Sequence, residues 1–264
     1  MFDYIFCHSS KDKVSRTKKQ GRSSKKIPTK QSCPIGRHWV SSHVKHKTSS
    51  RGLAYVQPVS GHCRNSRGTK TTFTKIQIQE ISKDPSFKSE KRPCSLKLRF
   101  DDGNSYDDLI AGWTDYWNKV FEPDVPLDSN LVKALIASES GFRKLLLANP
   151  ENPLSARGLM QILDGTRVIL GNRKGELKDH YFDLSQEDLN DPGTNICAGI
   201  RWLFHKKRLA SGKLKKKASW VEAVAEYKSL SKDLKSKNVK KKVDAQKTLN
   251  IFKDYYKKYQ KCKK

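Results

Sequence analysis

The sequence contains no apolar run approaching the length of about 18 residues that crosses a bilayer, so it predicts no transmembrane helix. Met1–Cys7 is apolar but too short for a signal-peptide core, and the charges follow it instead of preceding it. The six cysteines include no CxxC pair, and neither they nor the histidines show a standard zinc-ligand spacing. We therefore expect no metal, no other cofactor and no visible address for the secretory pathway. The cysteine pattern leaves the redox compartment open.

Acidic side chains are scarce, with 27 Asp and Glu against 54 Lys and Arg, and the formal net charge is +27. The excess lies at the two ends. Residues 1–94 carry 21 basic and 5 acidic side chains, and residues 201–264 carry 22 and 5. The middle, 95–200, has 11 basic and 17 acidic side chains. Such ends predict an anionic polymer as a partner, and a cell-wall polymer, nucleic acid and an anionic membrane surface all qualify.

The N-terminal part of the chain is predicted to lack a packed core. Residues 1–32 are rich in Ser, Lys and Thr, which is typical of a disordered basic segment. A faint repeat follows, in which Val40–Lys45 matches Val59–Arg64 at a period of 19 residues. Two β-branched, basic copies indicate a small module of β-hairpins over 33–70, and they are too few for a solenoid. Residues 71–104 are predicted to be a linker.

The rest of the sequence predicts a mainly α fold. Aromatic and aliphatic side chains recur at helical spacing from Tyr106 onward, and no segment demands a strand. The polar stretch Gly171–Pro192 is predicted to be an irregular insert. We expect a catalytic domain over 105–230 and a basic C-terminal helix over 231–264, in a chain that acts as a monomer.

A carboxylate interrupts an apolar stripe in the segment Leu131–Ser140. Glu139 follows Leu135 by four residues, which continues the stripe, and Gly141 stands where helices commonly end. Partial burial and the negative end of the helix dipole both disfavour an ionised carboxylate, so the pattern predicts a raised pKa for Glu139. Such a group can act as a general acid near neutral pH. A Glu that reaches solvent at a frayed helix end is the alternative on this segment alone.

Three further segments follow in order, so that the set reads Glu139-Ser140-Gly141-Phe142, Ala156-Arg157-Gly158-Leu159-Met160-Gln161-Ile162, Asn195-Ile196-Cys197-Ala198-Gly199 and Ala225-Glu226-Tyr227. This order resembles the soluble lytic transglycosylase (SLT) domain, which is related to goose-type lysozyme and cleaves the glycan strands of bacterial peptidoglycan. The resemblance covers roughly 125–230. It implies a lysozyme-like helical fold, peptidoglycan glycan strands as the partner, and chemistry without a metal.

The resemblance implies a role for each matching residue near the reacting bond. Glu139 occupies the position of the catalytic acid and base, and Ser140 that of the small polar neighbour. Tyr227 matches the phenol that faces the site, although its pattern alone also fits a core residue. The family usually has Asn after this Tyr, and Lys228 stands here instead.

The other matches concern the saccharide groove and its support. Gly158, Met160 and Gln161 match the element that lines the groove, where Gly allows close backbone approach and Gln can bind sugar amide and hydroxyl groups. By its residue type alone, Gln161 can equally satisfy a buried backbone group. Asn195 and Gly199 match the helix packed behind the catalytic Glu.

The number of carboxylates separates two mechanisms. Glycosidases that use water generally need two carboxyl groups, whereas the matched motifs supply one, Glu139. In the family that this chain resembles, one Glu acts as acid and then as base while the muramic acid 6-hydroxyl attacks, which gives a 1,6-anhydro product. Asp164 stands where the family commonly has Pro, and as a second carboxylate it would serve a lysozyme-type hydrolase.

A different class of function is a non-catalytic protein that holds glycan while its basic ends bind a polyanion. The ends show no helix-turn-helix or zinc-finger pattern. The substrate implied by the resemblance lies outside the cytoplasm, and no export signal is visible. We therefore expect a lysin of a phage or mobile element, or an enzyme carried by a virion or a conjugation apparatus.

Overall fold

The computed structural model describes residues 37–40, 43–48, 52, 54–59, 62–65 and 71–261. The segment predicted to be disordered, 1–32, lies outside the described residues. Among the described residues, no helix is long and apolar enough to cross a membrane.

The repeat module contains four short strands, β1 (Arg37–Val40), β2 (His43–Thr48), β3 (Ala54–Val59) and β4 (His62–Asn65). Strand β2 pairs with β3 and β1 pairs with β4, both antiparallel and in one continuous register. Val40 lies opposite His62 and His43 opposite Val59, so the first residue of each repeat copy pairs with the fourth of the other. The two copies therefore form one ribbon together, not a hairpin each.

The remaining described chain is mainly helical, as predicted. Its regular elements are the strands β5 (Thr71–Thr74) and β6 (His180–Asp183) and the helices α1 (Lys75–Lys83), α2 (Asp107–Phe121), α3 (Ser129–Glu139), α4 (Asp164–Leu170), α5 (Pro192–Leu214), α6 (Trp220–Tyr227) and α7 (Val239–Gln260). Short 3-10 turns lie at Pro85–Phe87, Glu187–Asn190 and Asp233–Lys235.

Helix α3 is the centre of the core. Its residues from Leu131 to Ala137 are all buried, and it packs against both α2 and α7. The Asp128 side chain caps its start by accepting a hydrogen bond from the amide of Asn130. Helix α7 contributes Phe252 to this contact and therefore belongs to the same packed unit as α3.

The segment predicted to be a linker is part of that core, and the insert contains a strand. Strand β5 pairs in parallel with β6, from Thr71 opposite His180 to Thr74 opposite Asp183. The ring of Phe73 is buried and stacks on Phe182, with 5.1 Å between the ring centroids. A parallel pair between strands more than 100 residues apart leaves no local periodicity, so the predictions of a linker and of a strand-free domain were wrong.

The start of α5 also differs from the prediction. The predicted insert extends to Pro192, but the helix begins at Pro192 and Asp191 is the capping residue. The Asp191 carboxylate accepts hydrogen bonds from the Thr194 amide and hydroxyl, both at 2.8 Å. A Pro at the first position of a helix loses no hydrogen bond, because the amide at that position has no partner within the helix. Pro192, the last residue of the predicted insert, can therefore be the first residue of α5.

A buried ion pair ties α3 to α2. Lys133 is fully buried, and its ammonium donates to the Cys94 carbonyl at 2.6 Å and to Asp107 Oδ2 at 3.0 Å. Cys94 is disulfide-bonded, while Cys197 is a free, buried thiol. A charge at an interior position requires partners from other segments, which a single-helix pattern does not show.

Two buried histidines make the fold sensitive to acid. Burial lowers the pKa of His180 to about 4, aided by the charge of Arg201, and burial likewise lowers the pKa of His205 to about 4. As the pH falls, these histidines take up protons near pH 6.5 in the unfolded chain but only near pH 4 in the folded chain. Their contribution to the free energy of unfolding is therefore complete above pH 6.5 and is lost as the pH falls towards 4. The loss approaches about 3 kcal/mol for His180 and is smaller for His205, whose ring lies 3.4 Å from the half-exposed Glu176.

Urea denaturation between pH 7 and pH 4 measures this loss. We expect His180→Phe, which keeps a ring among the surrounding aromatic side chains, to flatten the pH dependence. His46→Gln, on the exposed side of the ribbon, is the matched control and leaves the slope unchanged. If the free energy of unfolding changed equally with pH in His180→Phe and in the unaltered protein, the acid sensitivity could not be assigned to His180.

Candidate functional site

Glu139 is the last residue of α3, and its side chain is 17% exposed. The helix ends because Gly141 adopts a positive φ of +57° and Phe142 one of +67°, which turns the chain away from the helix axis. Phe142 is buried against Phe100. Glu139 is thus held at a helix end that packing defines, and not at a frayed surface end.

Ser140 connects α3 to the second motif. Its side chain is buried, and its hydroxyl donates to the Leu159 carbonyl at 2.8 Å. This bond uses the only proton that the hydroxyl can donate, so the structure places Ser140 as a tether between Glu139 and the loop at 157–162.

The loop 157–162 is a tight turn built from the second motif. The amides and carbonyls of Arg157 and Ile162 pair with each other, at 3.2 and 3.0 Å. Gly158 has a φ of +77° and Gln161 one of +48°, both in the left-handed region. The Gln161 amide nitrogen donates to the carbonyls of Leu146 and Gly158, at 3.1 and 2.9 Å. The loop thus uses the Gln161 nitrogen to hold its own backbone, and this atom is not offered to a ligand.

Helix α5 supports the loop from behind. Asn195 is buried, accepts from the Met160 amide at 2.8 Å and donates to the carbonyls of Leu189 and Arg157, at 2.8 and 3.1 Å. A side chain at Gly199 would collide with Met160. The third motif therefore fixes the loop through two hydrogen bonds and one close contact, and a third hydrogen bond joins Asn195 to Leu189.

Tyr227 joins α6 to the same loop. Its hydroxyl donates to the Met160 carbonyl at 2.7 Å. Burial raises the pKa of Tyr227 well above its usual value, and the nearby charge of Glu139 adds to this effect. Tyr227 is thus a neutral phenol close to Glu139, and the Met160 carbonyl accepts its one proton.

Lys228 is the residue of this site that the sequence analysis did not assign. Its ammonium lies 2.7 Å from Glu139 Oε1, and its side chain is only 7% exposed. The prediction made for Glu139 from the sequence considered burial and the helix dipole. It did not consider this cation. The signal that could have revealed it was the departure from the family's Asn directly after Tyr227.

Asp164 lies at the start of α4, apart from these contacts. Its Oδ1 accepts from Arg167 Nε at 2.7 Å and from Gln186 Nε2 at 3.0 Å. The hydrogen bond from Arg167, followed by the one from Gln186, holds the pKa of Asp164 below its usual value. Asp164 is therefore ionised and already paired.

The described contacts therefore bring together one carboxylate, one ammonium and one phenol. Within the described part of the chain, no group of three or more His, Cys, Asp or Glu is placed to hold a metal ion.

Comparison with known proteins places this arrangement in a family. Residues 122–252 match the family model of the transglycosylase SLT domain. The crystal structure of the 70 kDa soluble lytic transglycosylase from Escherichia coli aligns over 72% of this chain at 17% sequence identity, with a TM-score of 0.33. The aligned part covers 31% of that enzyme. Comparison with curated proteins gave no match.

The matched range extends beyond 230 into α7, in agreement with the packing of α7 on α3. The predicted domain bounds stay a prediction. The recognition of an SLT-type domain from four short motifs is confirmed. The predicted roles of the individual residues remain proposals.

Proposed function

We propose that the chain is a peptidoglycan lytic transglycosylase that cleaves the β-1,4 bond between MurNAc and GlcNAc and leaves a 1,6-anhydroMurNAc end. The observation that carries the proposal is the position of Glu139, a partly buried carboxylate at the end of α3. It lies beside a loop fixed by Asn195, Tyr227 and Ser140.

The reaction needs one proton and returns it. Protonated Glu139 donates its proton to the glycosidic oxygen as the bond to the anomeric carbon breaks. The resulting carboxylate then accepts the proton of the MurNAc 6-hydroxyl while that oxygen attacks the anomeric carbon. The leaving sugar gains a hydroxyl, the new anhydro ring closes, and Glu139 ends in its starting state. No water enters the product.

The other residues of the site position these partners. Tyr227 and Ser140 both hold the loop 157–162, at Met160 and Leu159 respectively. The Gln161 carbonyl oxygen is the acceptor that this side chain has left for a sugar N–H or O–H, since its nitrogen is already used. Gly158 and Met160 are buried, so we assign them to the support of the groove element and not to its surface.

The alternative is a lysozyme-type hydrolase in which Asp164 activates water. The bonds from Arg167 and Gln186 favour the single-carboxylate mechanism, because Asp164 is already paired within its own segment. We therefore expect Asp164→Asn to keep product release from peptidoglycan within about threefold of the unaltered protein. General acid or base catalysis contributes about a hundredfold or more, so a loss of that size would instead support the hydrolase.

The second class of function is a protein that binds the cell wall without cleaving it.

For the enzyme, we propose that the basic ends attach it to an anionic polymer of the cell wall. The outer face of α7 carries exposed lysines, among them Lys240, Lys247 and Lys258.

One experiment on purified peptidoglycan separates the two classes. The enzyme releases soluble glycan fragments over time, whereas a binding protein only sediments with the polymer and leaves its turbidity unchanged. Repeating the sedimentation at rising salt concentration measures the attachment, which weakens with salt if charge drives it.

A further inference from the structure

The position of Lys228 is set by the way α6 ends. The Ser229 and Leu230 amides donate to the carbonyls of Glu226 and Ala225, at 3.2 and 2.8 Å, and Ser229 has a φ of +58°. This is the Schellman arrangement, with Ser at the left-handed position that usually holds Gly. It fixes Lys228 as the capping residue of α6 and directs its side chain to Glu139.

The charged and titratable neighbours of Glu139 come from few elements. From α6 these are Lys228 and Tyr227, the latter a neutral phenol. In the turn after α3, Arg143 Nε donates to the Ser140 carbonyl.

Three titratable groups on the elements packed against α3 are engaged with other partners. On α7, the Tyr255 hydroxyl accepts from Arg99, and the ring of Tyr259 lies under the ammonium of Lys133. On α2, Asp107 pairs with Lys133. Within the described residues, Lys228 is thus the one cation recorded at hydrogen-bonding distance from Glu139.

This pair opposes the first step of the proposed reaction. A general acid must carry a proton, whereas an ammonium at 2.7 Å in a partly buried site stabilises the ionised carboxylate. Charges in such a site are screened less by solvent and salt than charges on the surface. Lys228 also limits the rotation of the Glu139 carboxyl, because one of its two oxygens is bound.

We propose that Lys228 is a positioning residue that holds the Glu139 carboxyl in one orientation and, compared with Asn at this position, confines activity to a more acidic range. The inference rests on the proposed function of Glu139 as the general acid. It makes Lys228 a determinant of when Glu139 is protonated, and not a residue that touches the substrate.

The test compares two variants at position 228 with one at position 237. Lys228→Asn removes the cation, Lys228→Arg retains it, and Lys237→Asn removes an exposed lysine a short distance along the chain as the matched control. Two measurements are made on each: kcat/KM against pH on soluble glycan fragments, and the titration of the Glu139 carboxyl by carbon-13 NMR, with Glu139→Gln to assign the signal. Thermal unfolding checks that each variant folds.

We expect Lys228→Asn to move the NMR titration midpoint and the alkaline limb of the activity profile upward by about one pH unit. Activity on that limb then rises by up to about tenfold. Lys228→Arg and Lys237→Asn should follow the unaltered protein. A midpoint in Lys228→Asn that coincides with that of the unaltered protein would overturn the inference.

The same data separate this inference from the proposed function. If the midpoint moves but no variant releases glycan fragments, the proposed function fails while the effect of Lys228 on Glu139 stands. If fragments are released and the midpoints coincide, only the inference about Lys228 fails.

Discussion

Replacing Glu139 by Gln should lower the release of soluble glycan fragments from purified peptidoglycan by about a thousandfold or more. Gln keeps the size and hydrogen-bonding shape of the side chain, but it can neither donate the proton to the leaving oxygen nor accept the one from the 6-hydroxyl. General acid and base catalysis each contribute about a hundredfold to ten-thousandfold, so the loss of both steps is large. Kinetics on purified peptidoglycan measures it.

Two controls make this result specific to Glu139. Glu80→Gln changes an exposed residue on α1 and should leave activity unchanged. Glu139→Gln also leaves the Lys228 ammonium without its carboxylate, which costs about 1–3 kcal/mol of folding stability. Thermal unfolding must therefore show a folded variant at the assay temperature. A folded Glu139→Gln with full activity would contradict the assignment of the site.

Replacing Gly158 by Ala should lower the free energy of unfolding by about 3 kcal/mol or more and abolish activity. At a φ of +77°, Ala is strained by about 1 kcal/mol. Its methyl group would meet the Asn195 side chain and the Leu189 carbonyl, the latter at 2.7 Å. Overpacking of this kind costs about 1–3 kcal/mol, and the displaced Asn195 would release the Met160 amide.

Gly165→Ala is the matched control for this change. Gly165 lies in α4, has open space where the methyl group would be, and should gain slightly in stability because Ala favours helices. Urea denaturation and glycan release on both variants measure the difference. Equal stability of the two variants would show that the loop 157–162 is not held by the contacts described above.

The helices of this domain could be predicted because their cause is local. The apolar stripe of α3 and the Gly that follows the helix lie within one short segment of the sequence. Glu139 was identified because it interrupts that stripe. Strand β6 could not be found in the same way, since Phe182 is buried only by its pairing with β5 from a distant segment. The same holds for Lys133, whose partners lie on other elements.

For the site, the sequence indicated which residues come together but not which atoms they use. The four motifs do converge, yet the hydroxyls of Ser140 and Tyr227 and the nitrogen of Gln161 bind the protein's own backbone. The direction of a polar group depends on the partners that folding brings to it, and residue type alone does not give it. In the sequence, Lys228 differed from the Asn that the family usually has at this position. Its ion pair with Glu139 could be found only from the structure.

Mass analysis of peptidoglycan digested in water enriched in oxygen-18 tests the central claim most directly. The claim is that Glu139 acts alone and that the substrate's own 6-hydroxyl is the nucleophile. It predicts products that are one water lighter than hydrolysis products and carry no label at the anomeric carbon. Reducing MurNAc ends that contain oxygen-18 would contradict it and would identify the chain as a hydrolase.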